Sequence, residues 1–160
     1  MNPTQLSVLF VCLGNICRSP MAEGVMRHLV AEAGLADQIS VDSAGTSGWH
    51  DGEPEHLGTR AQLQQHQISL PNFSSRKLVP QDQQRFDYIV VMDEQNAIDT
   101  AACLGEEANV LKLTDLCQRF SVAGVPDPWF THDFDETYQI ILDGCQQLLC
   151  LIQKKQLPLI

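Results

Sequence analysis

Two hydrophobic rhythms alternate along the chain. Leu6-Ser7-Val8-Leu9-Phe10-Val11 is a nearly unbroken apolar run, and Tyr88-Ile89-Val90-Val91-Met92 is another. Runs this short and this apolar suit strands buried on both faces of a parallel sheet. Ile39 to Ala44 and Asn109 to Leu113 are weaker strand candidates. Helical spacing fills the intervals. Ser19-Pro20, a capping hydroxyl followed by proline, predicts a helix start. Met21, Val25, Leu29 and Ala33 then form one apolar row and Ala22, Met26 and Val30 the next, with Gly34 as the stop. Further helices are predicted over Thr59 to Gln67, and from Asp93 to Leu104 with Gly105 as the stop. The last starts at Asp133, where Glu136 completes a capping-box-like pair. Its stripe runs through Phe134, Tyr138, Ile141, Cys145, Leu148, Leu149 and Ile152. Strands alternating with helices predict an α/β fold, a parallel sheet covered on both faces. Ligands of such sheets sit beyond the carboxyl ends of the strands, which draws attention to whatever follows Val11.

Length and charge narrow the function. A chain of 160 residues predicts one domain, 1–160, able to fold without a metal or disulfide staple. A formal net charge of -10 argues against a nucleic-acid partner and against an anionic membrane surface. Val8 to Leu13 is too short to span a bilayer, and the uncharged Met1 to Gln5 does not open a signal peptide. Six cysteines without an export signal suggest a reducing, cytoplasmic setting and free thiols. No repeat or low-complexity segment interrupts the chain. No C-x-x-C, zinc-spaced histidine pair, Walker loop or G-x-G-x-x-G is present, so no metal or nucleotide cofactor is expected.

Cys12-Leu13-Gly14-Asn15-Ile16-Cys17-Arg18-Ser19 leads from the first strand straight into the first helix. Such a turn presents backbone N–H groups and a helix dipole to one point, which attracts an anion. Gly14 and Asn15 are residue types that tolerate the positive φ of a tight amide ring. Arg18 adds a planar fork for two phosphate oxygens. A thiol at the floor of an amide nest beside a guanidinium ionises below the ~8.5 of a free cysteine. Cys12 therefore reads as the nucleophile of a phosphoryl transfer through a phosphocysteine. Ser19 is placed to donate its hydroxyl to the sulfur and ease the thiolate's departure.

The stretch Val11-Cys12-Leu13-Gly14-Asn15-Ile16-Cys17-Arg18-Ser19-Pro20-Met21-Ala22-Glu23 resembles the signature of the low-molecular-weight protein tyrosine phosphatases. Val41-Asp42-Ser43-Ala44-Gly45 resembles that family's second strand, and Val125-Pro126-Asp127-Pro128 its acid loop. The resemblance implies a four-stranded parallel sheet with helices on both faces and a phosphate-binding loop, Leu13 to Ser19, after the first strand. It implies a protein tyrosine phosphatase acting on phosphotyrosine proteins or peptides and on small aryl phosphates, releasing inorganic phosphate. A phenolate leaves slowly unless protonated, and Asp127, stiffened between Pro126 and Pro128, is the candidate general acid and then base. Trp49, Trp129 and Phe130 are expected to wall a cleft deep enough to prefer phosphotyrosine to phosphoserine. Asn15 and Ser43 are expected to support the loop. The resemblance also implies a reversible Cys12–Cys17 disulfide. The family often places a histidine before an Ala-Arg pair after the second helix. Leu70-Pro71-Asn72-Phe73-Ser74-Ser75-Arg76 holds none, which puts one brace of the loop in doubt.

Other readings rank lower. Arsenate reductase relatives carry a closely spaced cysteine pair near the third helix, where this chain has Cys103 alone. Phosphoarginine hydrolases carry threonine where Ile16 stands. A pure phosphopeptide binder or thiol sensor needs no Cys12, Arg18 and Asp127 together. The five histidines show no base-plus-nucleophile arrangement, and Cys103, Cys117, Cys145 and Cys150 read as core. A monomer is expected.

Overall fold

In the computed structural model, which describes residues 5–155, strands and helices alternate as the patterning predicts. The strands are β1 (Leu6–Cys12), β2 (Ile39–Gly45), β3 (Tyr88–Val91) and β4 (Val110–Lys112). The helices are α1 (Arg18–Glu32), α2 (Leu57–Gln65), α3 (Asp82–Arg85), α4 (Glu94–Leu104), α5 (Pro128–Thr131) and α6 (Phe134–Lys155). All strands are parallel in the order β2-β1-β3-β4. The chain leaves β1 in one direction to reach β2 and passes to its other side for β3. The carboxyl end of β1 is thus the switch point at which a crevice forms, and Cys12 is its last residue.

Successive β1 side chains face opposite layers. Leu6, Val8, Phe10 and Cys12 join Met21, Met26, Val30, Ile141 and Leu148 beneath α1 and α6. Leu9 and Val11 join Ile89, Val91 and Leu104 on the α4 side. Each fully buried Leu, Met or Phe contributes roughly 1.5–3 kcal/mol of transfer free energy. These clusters hold the sheet that carries Cys12.

Local signals differ from the patterning at several points. Helix α1 begins at Arg18, with Cys17 at the N-cap and no side-chain cap. Ser19 lies inside the first turn because its hydroxyl is engaged elsewhere, and Pro20 is tolerated there for want of a needed N–H. Helix α2 starts two residues earlier than predicted, since His56 Nδ1 accepts the Gly58 N–H at 2.9 Å. The four-residue helices α3 and α5 carry too few residues to show a period. Cys150 lies on the exposed face of α6, not in the core, while Cys145 is fully buried and Cys103 and Cys117 are half-buried. Asp133 does cap α6, accepting the Glu136 N–H at 2.9 Å.

One buried carboxylate ties α6 to the loop that precedes the acid loop. Asp143, 1% exposed, accepts the backbone N–H groups of Gln118 (3.0 Å), Arg119 (2.8 Å) and Phe120 (3.3 Å). Burial alone would raise its pKa, but these donors hold it below the usual carboxylate range. Its stabilisation is therefore complete above the unfolded-state pKa near ~3.9 and is lost as the pH falls through the lower folded value. Asp143→Ala strands these N–H groups and is expected to cost about 1–3 kcal/mol in urea unfolding at pH 7. The difference from wild type should shrink as the pH approaches 3. An unchanged midpoint at pH 7 would show that solvent satisfies the loop.

Candidate active site

The loop joining β1 to α1 turns on Asn15, the residue there with positive φ, 56°. Gly14 is not left-handed. Its missing side chain instead admits His50, whose Cδ2 would lie 3.1 Å from a Cβ at that position. Gly45 plays a similar part opposite, where a Cβ would meet the Leu13 carbonyl at 2.9 Å and Asn15 Cβ at 3.1 Å. Asn15 is clamped on every polar atom, its N–H by the Cys12 sulfur. Its Nδ2 donates to Ser43 Oγ (3.0 Å) and Ser19 Oγ (2.8 Å). Its Oδ1 accepts the Arg76 N–H (3.0 Å), and its carbonyl accepts the Ser75 hydroxyl (2.6 Å). The brace put in doubt by the missing histidine is supplied in this chain by the Ser75 hydroxyl and the Arg76 N–H, both on Asn15. Arg76 is itself fixed by Asp82 (3.0 Å) and Asp42 (3.3 Å).

Cys12 sits at the strand end, 3% exposed. Its sulfur lies 3.0 Å from Ser19 Oγ and accepts the Asn15 N–H at 3.3 Å. Cys17 lies in the same loop, also buried and unbridged. Burial, with Asp127 and Cys12 nearby, pushes the Cys17 thiol up to about 12. At neutral pH the Cys17 thiol is therefore uncharged.

Arg18, 3% exposed, is oriented before any ligand arrives. One terminal nitrogen, Nη1, donates to Asp93 Oδ2 (2.7 Å) and to the Val125 carbonyl (3.0 Å). The other, Nη2, lies 3.6 Å from Asp127 Oδ2. Burial works against its charge, but Cys12, Asp93 and Asp127 outweigh it and raise its pKa. Asp93 has a second task, accepting the Asn96 N–H (2.7 Å) as the cap of α4. Asp127 likewise caps α5, with its Oδ1 on the Trp129 N–H (3.0 Å) and Pro128 at the first helical position. The aspartate-proline turn and the presentation of a carboxyl to Arg18 are one arrangement.

A cavity of about 290 Å³ gathers these groups, lined by Cys12, Leu13, Gly14, Ile16, Cys17 and Arg18 and, above them, Trp49, His50, Asp127, Trp129 and Phe130. Trp49 is 74% exposed and Phe130 73%. The rim is therefore apolar and open, while the floor is polar and closed. Ser43 and Asn15 support the loop from behind without lining the cavity, and Ser19 reaches it through sulfur. Sequence reasoning missed Asp93, read only as a helix start, and His50 and His56, set aside as isolated. His50 and His56 pack at 5.9 and 5.8 Å from the Trp129 ring. Only the loop after β2 and its aromatic spacing could have pointed to them.

Comparison with known proteins agrees with this geometry. A family model described as low molecular weight phosphotyrosine protein phosphatase matches residues 7–157. Low molecular weight protein-tyrosine-phosphatase YfkJ of Bacillus subtilis is 45% identical over 153 residues, covering 94% of this chain and 98% of that protein. The crystal structure of YfkJ superposes with a TM-score of 0.93 at 43% identity, covering 98% of this chain and 99% of that one. A protein tyrosine phosphatase from Entamoeba histolytica, with Hepes in its active site, gives 0.89 at 32% identity over 94% of this chain and 98% of its own.

The thiols should separate by environment. Brief alkylation at pH 8 is expected to label the exposed Cys150 and to spare Cys17 and the fully buried Cys145, as read by peptide mass mapping. Labelling of Cys17 ahead of Cys150 would contradict the buried, neutral state assigned to it.

Proposed function

The chain belongs to the low molecular weight phosphotyrosine protein phosphatases, and we propose that it hydrolyses phosphotyrosine through a phosphocysteine on Cys12. The observation that carries this reading is the shared cavity, which holds Cys12, Arg18 and Asp127 beneath Trp49, Trp129 and Phe130. The first step forms the sulfur–phosphorus bond and breaks the bond from phosphorus to the tyrosyl oxygen. Asp127 gives its proton to that oxygen, which leaves as tyrosine. Arg18 holds the phosphate oxygens with the edge that Asp93 and Val125 leave free, so its orientation need not be found during binding. In the second step water attacks phosphorus, Asp127 takes the water's proton, and the sulfur leaves as thiolate with the Ser19 hydroxyl donating to it. Inorganic phosphate departs.

The aromatic rim gives the reading its substrate class. A phosphate monoester of any alcohol fits the floor, but an aryl group also buries the faces of Trp49, Trp129 and Phe130, and ring–ring contacts add about 0.5–1.5 kcal/mol each. The substrates are phosphotyrosine proteins or peptides, handled by a monomer that needs no metal. A reducing cytoplasm suits its unbridged thiols.

Cys12→Ser should abolish turnover of p-nitrophenyl phosphate, and undiminished turnover would refute the reading. Asp127→Ala should lower kcat on the order of 10²–10⁴-fold with binding retained, because it removes a proton donor and not a binding group. Asp93→Asn replaces the anion that holds Arg18 with a neutral amide. It should raise KM for aryl phosphates several-fold and lower kcat less than Asp127→Ala does. Steady-state kinetics checks both, and an Asp93→Asn enzyme with wild-type KM would remove Asp93 from the site.

A further inference from the structure

Outside the cavity, α1 buries a carboxylate for which the chemistry above has no use. Glu23 is 3% exposed and lines no part of the cleft. Its Oε1 accepts the Ser43 hydroxyl at 2.6 Å and its Oε2 accepts Arg27 Nη2 at 2.7 Å. We propose that Glu23 is a positioning residue for the reaction at Cys12, acting through a directed hydrogen-bond chain of Ser43, Asn15 and Ser19.

The direction of each bond follows from the groups at the two fixed ends. An ionised carboxylate only accepts, so the Ser43 proton is committed to Glu23 and a Ser43 lone pair is turned to Asn15. The Arg76 N–H only donates, so Asn15 Oδ1 faces it and both Nδ2 protons point away. One goes to Ser43 Oγ at 3.0 Å and the other to Ser19 Oγ at 2.8 Å. Ser19 has then accepted, and its own proton has Cys12 Sγ within reach at 3.0 Å. Every rotor between α1 and the sulfur is set, and the hydroxyl is held as a donor to thiolate. This matters most when the phosphocysteine breaks and sulfur must leave as an anion. The inference rests on Cys12 being the nucleophile.

Removing the acceptor at the far end loosens the whole chain. Without a carboxylate, the Ser43 hydroxyl has no committed partner and its lone pair is no longer held on Asn15. A glutamine at position 23 must either set an N–H₂ against Arg27 or offer one to Ser43, and each choice breaks a bond. The charges around Glu23 are Arg27 on the same helix, Asp42 on β2 and Arg76 beyond α2. Burial pushes the Glu23 pKa up, and the Ser43 hydrogen bond, Arg27 and Arg76 pull against it while Asp42 adds to it. A buried acid held against that cost is poor value as a stabilising contact, which is consistent with its being kept for position.

Glu23→Gln and Ser43→Ala, singly and together, test the chain. Two quantities are read: the pH dependence of Cys12 alkylation by iodoacetamide, resolved from Cys17 by tandem mass spectrometry, and kcat and KM for p-nitrophenyl phosphate. Each single variant should move the alkylation midpoint up by about half to one pH unit and lower kcat roughly 5–20-fold, with KM changed less than about threefold. The double variant should match the worse single one, since both cut one chain. A folded Glu23→Gln enzyme with the wild-type midpoint, or a double variant with additive losses, overturns the proposal. If circular dichroism shows Glu23→Gln unfolded, Ser43→Ala decides: an upward shift supports the chain and an unmoved midpoint refutes it. Turnover surviving in Cys12→Ser would instead remove the phosphocysteine reading beneath it, a separate result.

Discussion

Everything at the cleft depends on holding Asn15 in a left-handed conformation. A non-glycine residue there costs on the order of 1–2 kcal/mol. Four hydrogen bonds converge on its side chain and carbonyl, from or to Ser19, Ser43, Ser75 and Arg76. At about 0.5–1.5 kcal/mol each, they outweigh the strain, and they come from three separate parts of the chain. The loop is therefore closed by tertiary structure and not by local preference. Its Cys12 end is the end of a central strand, and its Arg18 end is the first turn of a helix packed on the core. Neither end can shift without breaking one of the two apolar layers.

The same logic governs charge. A chain of net charge -10 must carry any anion site as a local exception. On the reading proposed for the site, it does so with a buried Arg18 and a half-buried Arg76, each given its own carboxylates: Asp93 and Asp127 for Arg18, Asp42 and Asp82 for Arg76. Arg76 is fully committed to the scaffold, with both terminal nitrogens on aspartates. Arg18 is hydrogen-bonded through one terminal nitrogen, Nη1, while Nη2 lies 3.6 Å from Asp127. That difference in occupancy, not a difference in charge, separates the arginine that holds the loop from the one left facing the cavity.

What was legible in the sequence divides along the same line. Buried strands announce themselves by unbroken apolar runs, and α1 and α6 by stripes, so the sheet and its main layers were readable. Cys12, Arg18 and Asp127 were readable because short spacing and flanking prolines carry their geometry. Ser19 as a helix cap was misread: the local rule for a serine before proline lost to a hydrogen bond with a sulfur seven residues back. Gly14 was assigned a backbone role when its value is the room it leaves for His50. Cys150 fits the α6 pattern one step too far, on the outward side of the helix. Asp93, His50, Ser75 and Arg76 carry no motif, since the groups they reach at the cleft, Arg18, Gly14 and Asn15, lie more than thirty residues away. Only the fold brings them together.

The rim completes the division between floor and wall. Leaving Trp49, Trp129 and Phe130 in water forgoes roughly 1.5–3 kcal/mol for each side chain that could have been buried. The fold could have turned them inward, as it does Phe10 and Met92. Instead Asp127 and Pro128 start a single helical turn that lifts Trp129 and Phe130 over the cavity, and His50 and His56 brace Trp129 from the side. The residue that presents a carboxyl to Arg18 is thus the residue that raises the wall. On the reading proposed for the site, proton donor and aryl platform move as one body. A substrate seated on the wall is then aligned with the acid by the same contact that binds it.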